Sequence, residues 1–280
     1  MIFDPRACQL GEGPLWHPVR EQLFWFDITA RRLLTSKGEN AQEWHFADMV
    51  SAAGWTGPDG LLVASETGLF QFDLEAGTRT PVCALEADNP ATRSNDGRAD
   101  PQGGFWIGTM SKTEERGAGA IYRWYKGELR CLYPRISIPN AICFAPDGRT
   151  AHFADTVTGQ VMRVALDVQG WPVGQPETHL DLRAEGLNPD GAVVDAEGRL
   201  WLAEWGSARV ACYAPDGTRV MTVAFPAPHT SCPAFGGTTL YCTSALHHMT
   251  ETARTAYPDA GRTFAATNVA RGQSEHQVIL

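Results

Sequence analysis

Three short stretches place an oxygen-bearing side chain beside residues that restrict or free the backbone. They are Leu10-Gly11-Glu12-Gly13-Pro14-Leu15-Trp16, Ile138-Pro139-Asn140-Ala141 and Asn188-Pro189-Asp190-Gly191. One Glu, one Asn and one Asp form an all-oxygen donor set. Such a set suits Ca²⁺, Mg²⁺ or Mn²⁺ better than Zn²⁺. Three protein ligands also leave coordination positions for water and substrate, the arrangement of a catalytic metal. Taken singly, each motif also reads as ordinary structure: a turn at Asn188-Pro189-Asp190-Gly191, a strand-end turn at Pro139-Asn140, and a loop carboxylate at Glu12 before a Pro14-Leu15-Trp16 strand. A fourth stretch, Arg93-Ser94-Asn95-Asp96-Gly97, puts Arg93 and Asn95 on one side of an extended segment. That pair suits a polyhydroxylated or carbonyl-bearing ligand, and its plain alternative is an Asn-Asp-Gly turn with a solvated Arg93.

These residues are far apart in sequence, so they meet only in a fold that gathers strand ends around an axis. Strand-like runs recur along the chain at Leu23–Asp27, Leu61–Ser65, Gly104–Gly108, Ala151–Asp155, Leu200–Glu204 and Leu240–Thr243. Four of the six follow turns rich in Pro, Asp and Gly (Pro58-Asp59-Gly60, Asp100-Pro101-Gln102-Gly103, Pro146-Asp147-Gly148, Asp195-Ala196-Glu197-Gly198), in which Asp suits the early positions and Gly accepts positive φ. A second alternating strand usually follows, as in Gly68–Asp73, Ala120–Trp124, Gln160–Val164 and Ala208–Tyr213. The unit repeats about every 40 to 50 residues, the period of propeller blades. The expected fold is therefore all-β, a six-bladed β-propeller spanning residues 1–280 as a single domain, with residues 2–9 completing the last blade. Two linked β-sandwiches are the alternative, but no Pro/Ser/Gly-rich or charged linker divides the chain.

The net charge of −9 disfavours nucleic acid and anionic membranes as partners. The first residues contain no apolar leader core, and no segment approaches a membrane-spanning length. The seven cysteines are odd in number and lack a CxxC pair, which favours free thiols and a cytoplasmic location. The eight histidines form no HxH or HExxH pattern. His247 and His248 are adjacent, and on a strand their rings would face opposite ways and not share a metal. Trp205 is a candidate wall of the pocket, while Asp155 and Glu204, at comparable strand ends, are expected to satisfy backbone amides.

Gly11-Glu12-Gly13-Pro14-Leu15-Trp16, Arg93-Ser94-Asn95-Asp96-Gly97, Gly108-Thr109-Met110, Pro139-Asn140 and Pro189-Asp190-Gly191, in this order and spacing, resemble the SMP-30/gluconolactonase (regucalcin-like) family. The resemblance runs from about residue 8 through Gly236-Gly237 to the C-terminus. It implies a six-bladed propeller with one divalent metal ion near the channel mouth and hydrolysis of a sugar lactone (an aldonolactone) as the activity. It implies Glu12, Asn140 and Asp190 as metal ligands, Arg93 and Asn95 as substrate contacts, and Asp190 also as the base that activates water. Ca, Mg, Mn, Zn and Fe(II) are all conceivable as the ion. No Gly-x-Ser-x-Gly elbow offers a competing nucleophile. In the loop Ser111–Arg116, where some family members place a substrate-contacting acid, Glu114 or Glu115 could serve, Lys112 could replace them, or the loop could be a lid. The alternatives to a lactonase are a non-catalytic calcium-binding propeller and a metal-dependent esterase. A monomer is expected, because a closed propeller leaves no long free edge strand.

Overall fold

Short apolar runs punctuated by Asp- and Gly-bearing turns fold into six four-stranded antiparallel sheets. The structure, a computed structural model, describes residues 1–38 and 40–280. Its fold is a six-bladed β-propeller, and one short helix, Glu251–Ala256, interrupts the last blade. The innermost strands are Gly11–His17, Val50–Gly57, Thr92–Ala99, Pro139–Phe144, Asn188–Val194 and Thr230–Gly236, which open blades 1 to 6. In blade 6 the outermost strand is Ile2–Asp4, paired with Thr263–Ala266, so the two ends of the propeller chain share one sheet.

The predicted turns work as their side chains dictate. In blade 3 Asp100 Oδ1 accepts from the Gln102 and Gly104 amides, both at 2.9 Å. In blade 5 Asp195 Oδ1 accepts from Glu197 and Arg199 at 3.0 and 2.9 Å. Both are Asx-type closures that mimic a backbone turn. Between blades, aromatic edges interlock. Trp106 meets Phe144 across blades 3 and 4, and Trp201 meets Phe235 across blades 5 and 6, each T-shaped at 5.5 Å. Such contacts add to the burial of large apolar area and hold neighbouring blades at fixed angles.

Each innermost strand is one edge of its sheet, which explains a feature that sequence reading misjudged. Glu12, Asn140 and Asp190 lie within strands, not in loops or turns. Proline signals a turn when the strand is assumed to be central, but an edge strand tolerates it because its N–H would face away from the ladder. Pro14, Pro139, Pro189 and Pro233 all lie on innermost strands.

The face of the ring opposite the candidate site is crossed by the last part of the chain. Gly272 N–H donates to Gly237 O at 2.9 Å, and Gln273 Nε2 donates to Phe144 O and Val194 O at 3.1 and 2.9 Å. Trp55 Nε1 donates to Glu275 O at 2.9 Å, and Ile279 N–H reaches Gly103 O at 2.9 Å. This segment thus touches blades 2 to 6. Among the described residues no helix is long and apolar enough to cross a membrane, and all seven cysteines are free thiols.

Candidate metal and substrate site

Strand register alone brings the candidate residues to one level. Gly11 pairs with Asp27, Ser94 with Thr109, Pro139 with Asp155 and Pro189 with Glu204, and the register breaks right after Ser94 and Pro189 and one pair later, after Glu12 and Asn140, in blades 1 and 4. The next residue in each innermost strand is therefore Glu12, Asn95, Asn140 or Asp190. Blades 2 and 6 complete the ring with Ser51 and Ser231, which follow the Val50–Ser65 and Thr230–Ser244 pairs. All six are buried. A β-bulge at this level re-aims a side chain out of the regular alternation. Two backbone signatures mark it: Gly13, after Glu12, has φ of 53°, and Ala141, after Asn140, has φ of 55°. Ala141 holds a conformation that a non-glycine residue rarely adopts. A Cβ on Gly13 would fall 2.2 Å from Ser51 O, so only glycine lets blades 1 and 2 approach this closely.

Two aspartates lock the segments that enter the ring. Asp27 accepts from the Gln9 and Leu10 amides at 2.9 and 3.0 Å, just before Glu12. Asp155 does the same for Ser137 and Ile138 at 2.8 and 3.0 Å, just before Asn140. Asp155 thus satisfies backbone amides as expected. Glu204 does not: it binds Arg209 Nε at 2.5 Å and Tyr213 Oη at 2.6 Å. The longer Glu side chain reaches past the backbone to its own sheet.

Polar contacts then tie blades 3, 4 and 5 together. Arg93 Nη1 donates to Asn95 Oδ1 at 2.8 Å, and Asn95 Nδ2 donates to Pro139 O at 2.9 Å and to Asn140 Oδ1 at 3.2 Å. Asn140 Nδ2 donates to Thr156 Oγ1 at 2.8 Å, whose hydroxyl donates to Pro189 O at 2.7 Å, next to Asp190. Thr156 escaped sequence reading. Its only signal was its place immediately after the strand-end Asp155.

Glu12, Arg93, Asn95, Asn140 and Asp190 line one open cavity of about 250 Å³, with Thr156 and Trp205 also in its wall. Of the 111–116 loop, Glu114 lines the cavity. Lys112 instead binds Glu66 and the Pro90 carbonyl. His247 and His248 also border the cavity, and both rings reach Glu114, with Nε2–Oε1 separations of 3.8 and 2.8 Å. The expectation that the rings diverge fails because they lie in a turn, where His248 has φ of 61°, and not on a strand.

The electrostatics of the ring are unbalanced. Burial, then Asp96, pushes the Glu12 carboxyl up to about 8, against the Gly13 amide and Arg93. Burial, then Glu12 and Asp96, raises Asp190 well above the usual carboxylate range. Burial also lowers the Arg93 guanidinium to about 10. Two buried carboxylates thus share one partly desolvated cation. The donor set fits a divalent ion on that ground: hard oxygens with excess negative charge, and an Asn140 oxygen that accepts only one weak hydrogen bond.

Comparisons with known proteins identify the family. The chain is 42% identical over 277 residues (96% of this chain, 93% of the relative) to a Rhizobium meliloti protein named provisionally as a sugar lactone lactonase. It is 35% identical over 275 residues to the L-arabinolactonase of Azospirillum brasilense, covering 95% of this chain and 90% of that one. The fold superposes on a calcium-binding protein, regucalcin, from Agrobacterium tumefaciens with a TM-score of 0.97, at 39% identity, covering 100% of this chain and 97% of the other. The family model for the SMP-30/gluconolactonase/LRE-like region matches residues 10–246, which contain every member of the polar ring, and the chain belongs to that family.

Proposed function

We propose that this protein hydrolyses a sugar lactone to its aldonic acid, with one divalent metal ion held by Glu12, Asn140 and Asp190. The observation that carries the reading is the burial of Glu12 and Asp190 together in one cavity with Arg93 beside them. The lactonase names of the relatives support the substrate class. When bound, the ion would supply Lewis acidity toward the lactone carbonyl oxygen.

The chain's own residues supply the rest. Asp190 accepts the proton of the attacking water, a role helped by a burial that raises its basicity. Arg93 and Asn95, already joined by a hydrogen bond, present a prearranged pair to ring oxygen or hydroxyl groups and restrict the angle of attack. Asn140, held by Thr156 and Asn95, keeps its amide oxygen oriented without rearrangement. Trp205 and Ile138 give the cavity an apolar wall against the sugar ring.

A non-catalytic cation-binding propeller is the second reading, favoured by the calcium-binding Agrobacterium relative. Acid release from five- and six-membered aldonolactones, followed on chelator-stripped protein with and without added Ca²⁺, Mg²⁺, Mn²⁺ or Zn²⁺, separates the two. Metal-restored hydrolysis above the spontaneous rate is expected. Folded protein that binds a cation yet hydrolyses none of the lactones would leave the second reading standing.

A further inference from the structure

At the mouth of the cavity a second donor cluster stands apart from the oxygen ring. Glu114 projects from the turn after the second strand of blade 3, and His247 and His248 from the turn after the second strand of blade 6. One Glu114 oxygen and one nitrogen from each imidazole all lie within 4.8 Å of one another. Three donors of a tetrahedral ion with bonds of about 2.0–2.1 Å stand about 3.3 Å apart. The observed Glu114 Oε1 separations of 2.8 Å to His248 and 3.8 Å to His247 bracket that figure.

The backbone holds both sides of the cluster in place. Glu114 and His248 each occupy the left-handed region, with φ of 60° and 61°, a costly conformation for side chains of this kind. The Glu114 amide donates to Ser111 O at 3.1 Å, and the His247 amide to Gln9 O at 2.8 Å. His247 is half-buried beside its neighbour, with ring centroids 3.9 Å apart.

We propose that Glu114, His247 and His248 form a second metal site, selective for Zn²⁺ or a similar borderline transition ion, at the entrance of the cavity. Two imidazoles and one carboxylate are a recurrent zinc donor set with a fourth position left for water. The nitrogen donors distinguish this site from the all-oxygen ring, which suits harder ions. An ion held here would also tie the blade 3 loop to the blade 6 turn, at the wall of the cavity that Arg93 and Asp190 line.

The test uses the full chain with the ring disabled by Glu12→Gln and Asp190→Asn, so that its outcome does not depend on lactone hydrolysis. Zn²⁺ alone is titrated against a chromophoric chelator, and Co²⁺ is added in parallel for its visible absorption. One Zn²⁺ per chain and a tetrahedral Co²⁺ spectrum are expected. Adding His247→Ala and His248→Ala should weaken Zn²⁺ on the order of 100-fold, and Glu114→Gln alone, at an exposed side chain, should weaken it about tenfold. Absence of Zn²⁺ binding in the ring-disabled protein, or binding that neither the histidine pair nor Glu114→Gln changes, would overturn the proposal.

Discussion

The two ends of the central channel each bury two carboxyls around one guanidinium, but only one end pairs its charges directly: Arg98 binds Glu275, whereas Arg93 donates to Ser94 O and Asn95 Oδ1. At the mouth, Glu12 and Asp190 face a single guanidinium, and both carboxyls are pushed up by burial and by neighbouring acids. At the floor, Arg98 stands between Asp96 and Glu275, donating to Glu275 and to the carbonyls of Ile142 and Ala192. Burial works against the Arg98 charge, yet Glu275, Cys232, Asp96 and Cys143 together outweigh it and the guanidinium pKa is raised. Asp96 lies between the two ends: burial lifts it to about 6, and Arg98 opposes that rise. At the floor Arg98 and Glu275 neutralise each other directly, as a structural ion pair must. The mouth has a deficit of positive charge that a bound cation would fill.

If this contrast is right, substitutions at the two ends separate activity from stability. Asp190→Ala and Glu12→Ala should each lower kcat/KM on the order of 1,000-fold. Neither should lower the melting temperature of chelator-treated protein, because each removes a carboxyl whose ionised form burial and neighbouring acids disfavour. Near-normal turnover at low metal in either variant would remove that residue from the site. Arg98→Met should do the reverse. It leaves Asp96 and Glu275 without their cation and should cost about 3–5 kcal/mol in denaturant unfolding, with turnover per folded molecule largely kept. A neutral effect would mean that the floor pair is dispensable.

A finer probe is Thr156→Val, which preserves shape but deletes the hydroxyl between Asn140 and Pro189 O. Metal affinity measured by titration should fall about 10- to 100-fold, and an unchanged affinity would show that Asn140 needs no such orientation. The smallest expected effect is in pH dependence. Between the ordinary glutamate value of 4.5 and about 8 in the fold, Glu12 holds more proton in the native than in the unfolded chain. Its contribution to metal-free stability is therefore full below about pH 4.5 and declines as pH rises toward 8, and Asp190 acts in the same direction. Unfolding midpoints at pH 5.5 and 8 should fall with pH in chelator and flatten with saturating divalent ion. A rise with pH in chelator would refute the charge deficit at the mouth.

Much of this arrangement was legible before any coordinates. The Trp-bearing runs and Asp/Gly turns mark strand starts because their chemistry is local, and the spacing of those runs reflects the blade repeat. The motifs around Glu12, Asn140 and Asp190 were visible for the same reason, as each couples a ligand with a backbone device. Their placement on strands was not, since Pro14, Pro139 and Pro189 speak of turns until one knows that the strand is a sheet edge. Thr156 and the meeting of Glu114 with His247 and His248 depend on the distance between blades, which no local pattern records. The pairing of Arg98 with Glu275 spans 177 residues and carries no motif at all.

The segment from Gly272 to Ile279 that crosses the floor has a kinetic consequence. It covers the end of the ring opposite the cavity, so on the proposed reading lactone would enter and acid would leave at the mouth. An aldonate still in the cavity would exclude the next lactone, and added product should inhibit in competition with substrate. Product departure would then pass Glu114 of blade 3 and His247 and His248 of blade 6, which line that mouth.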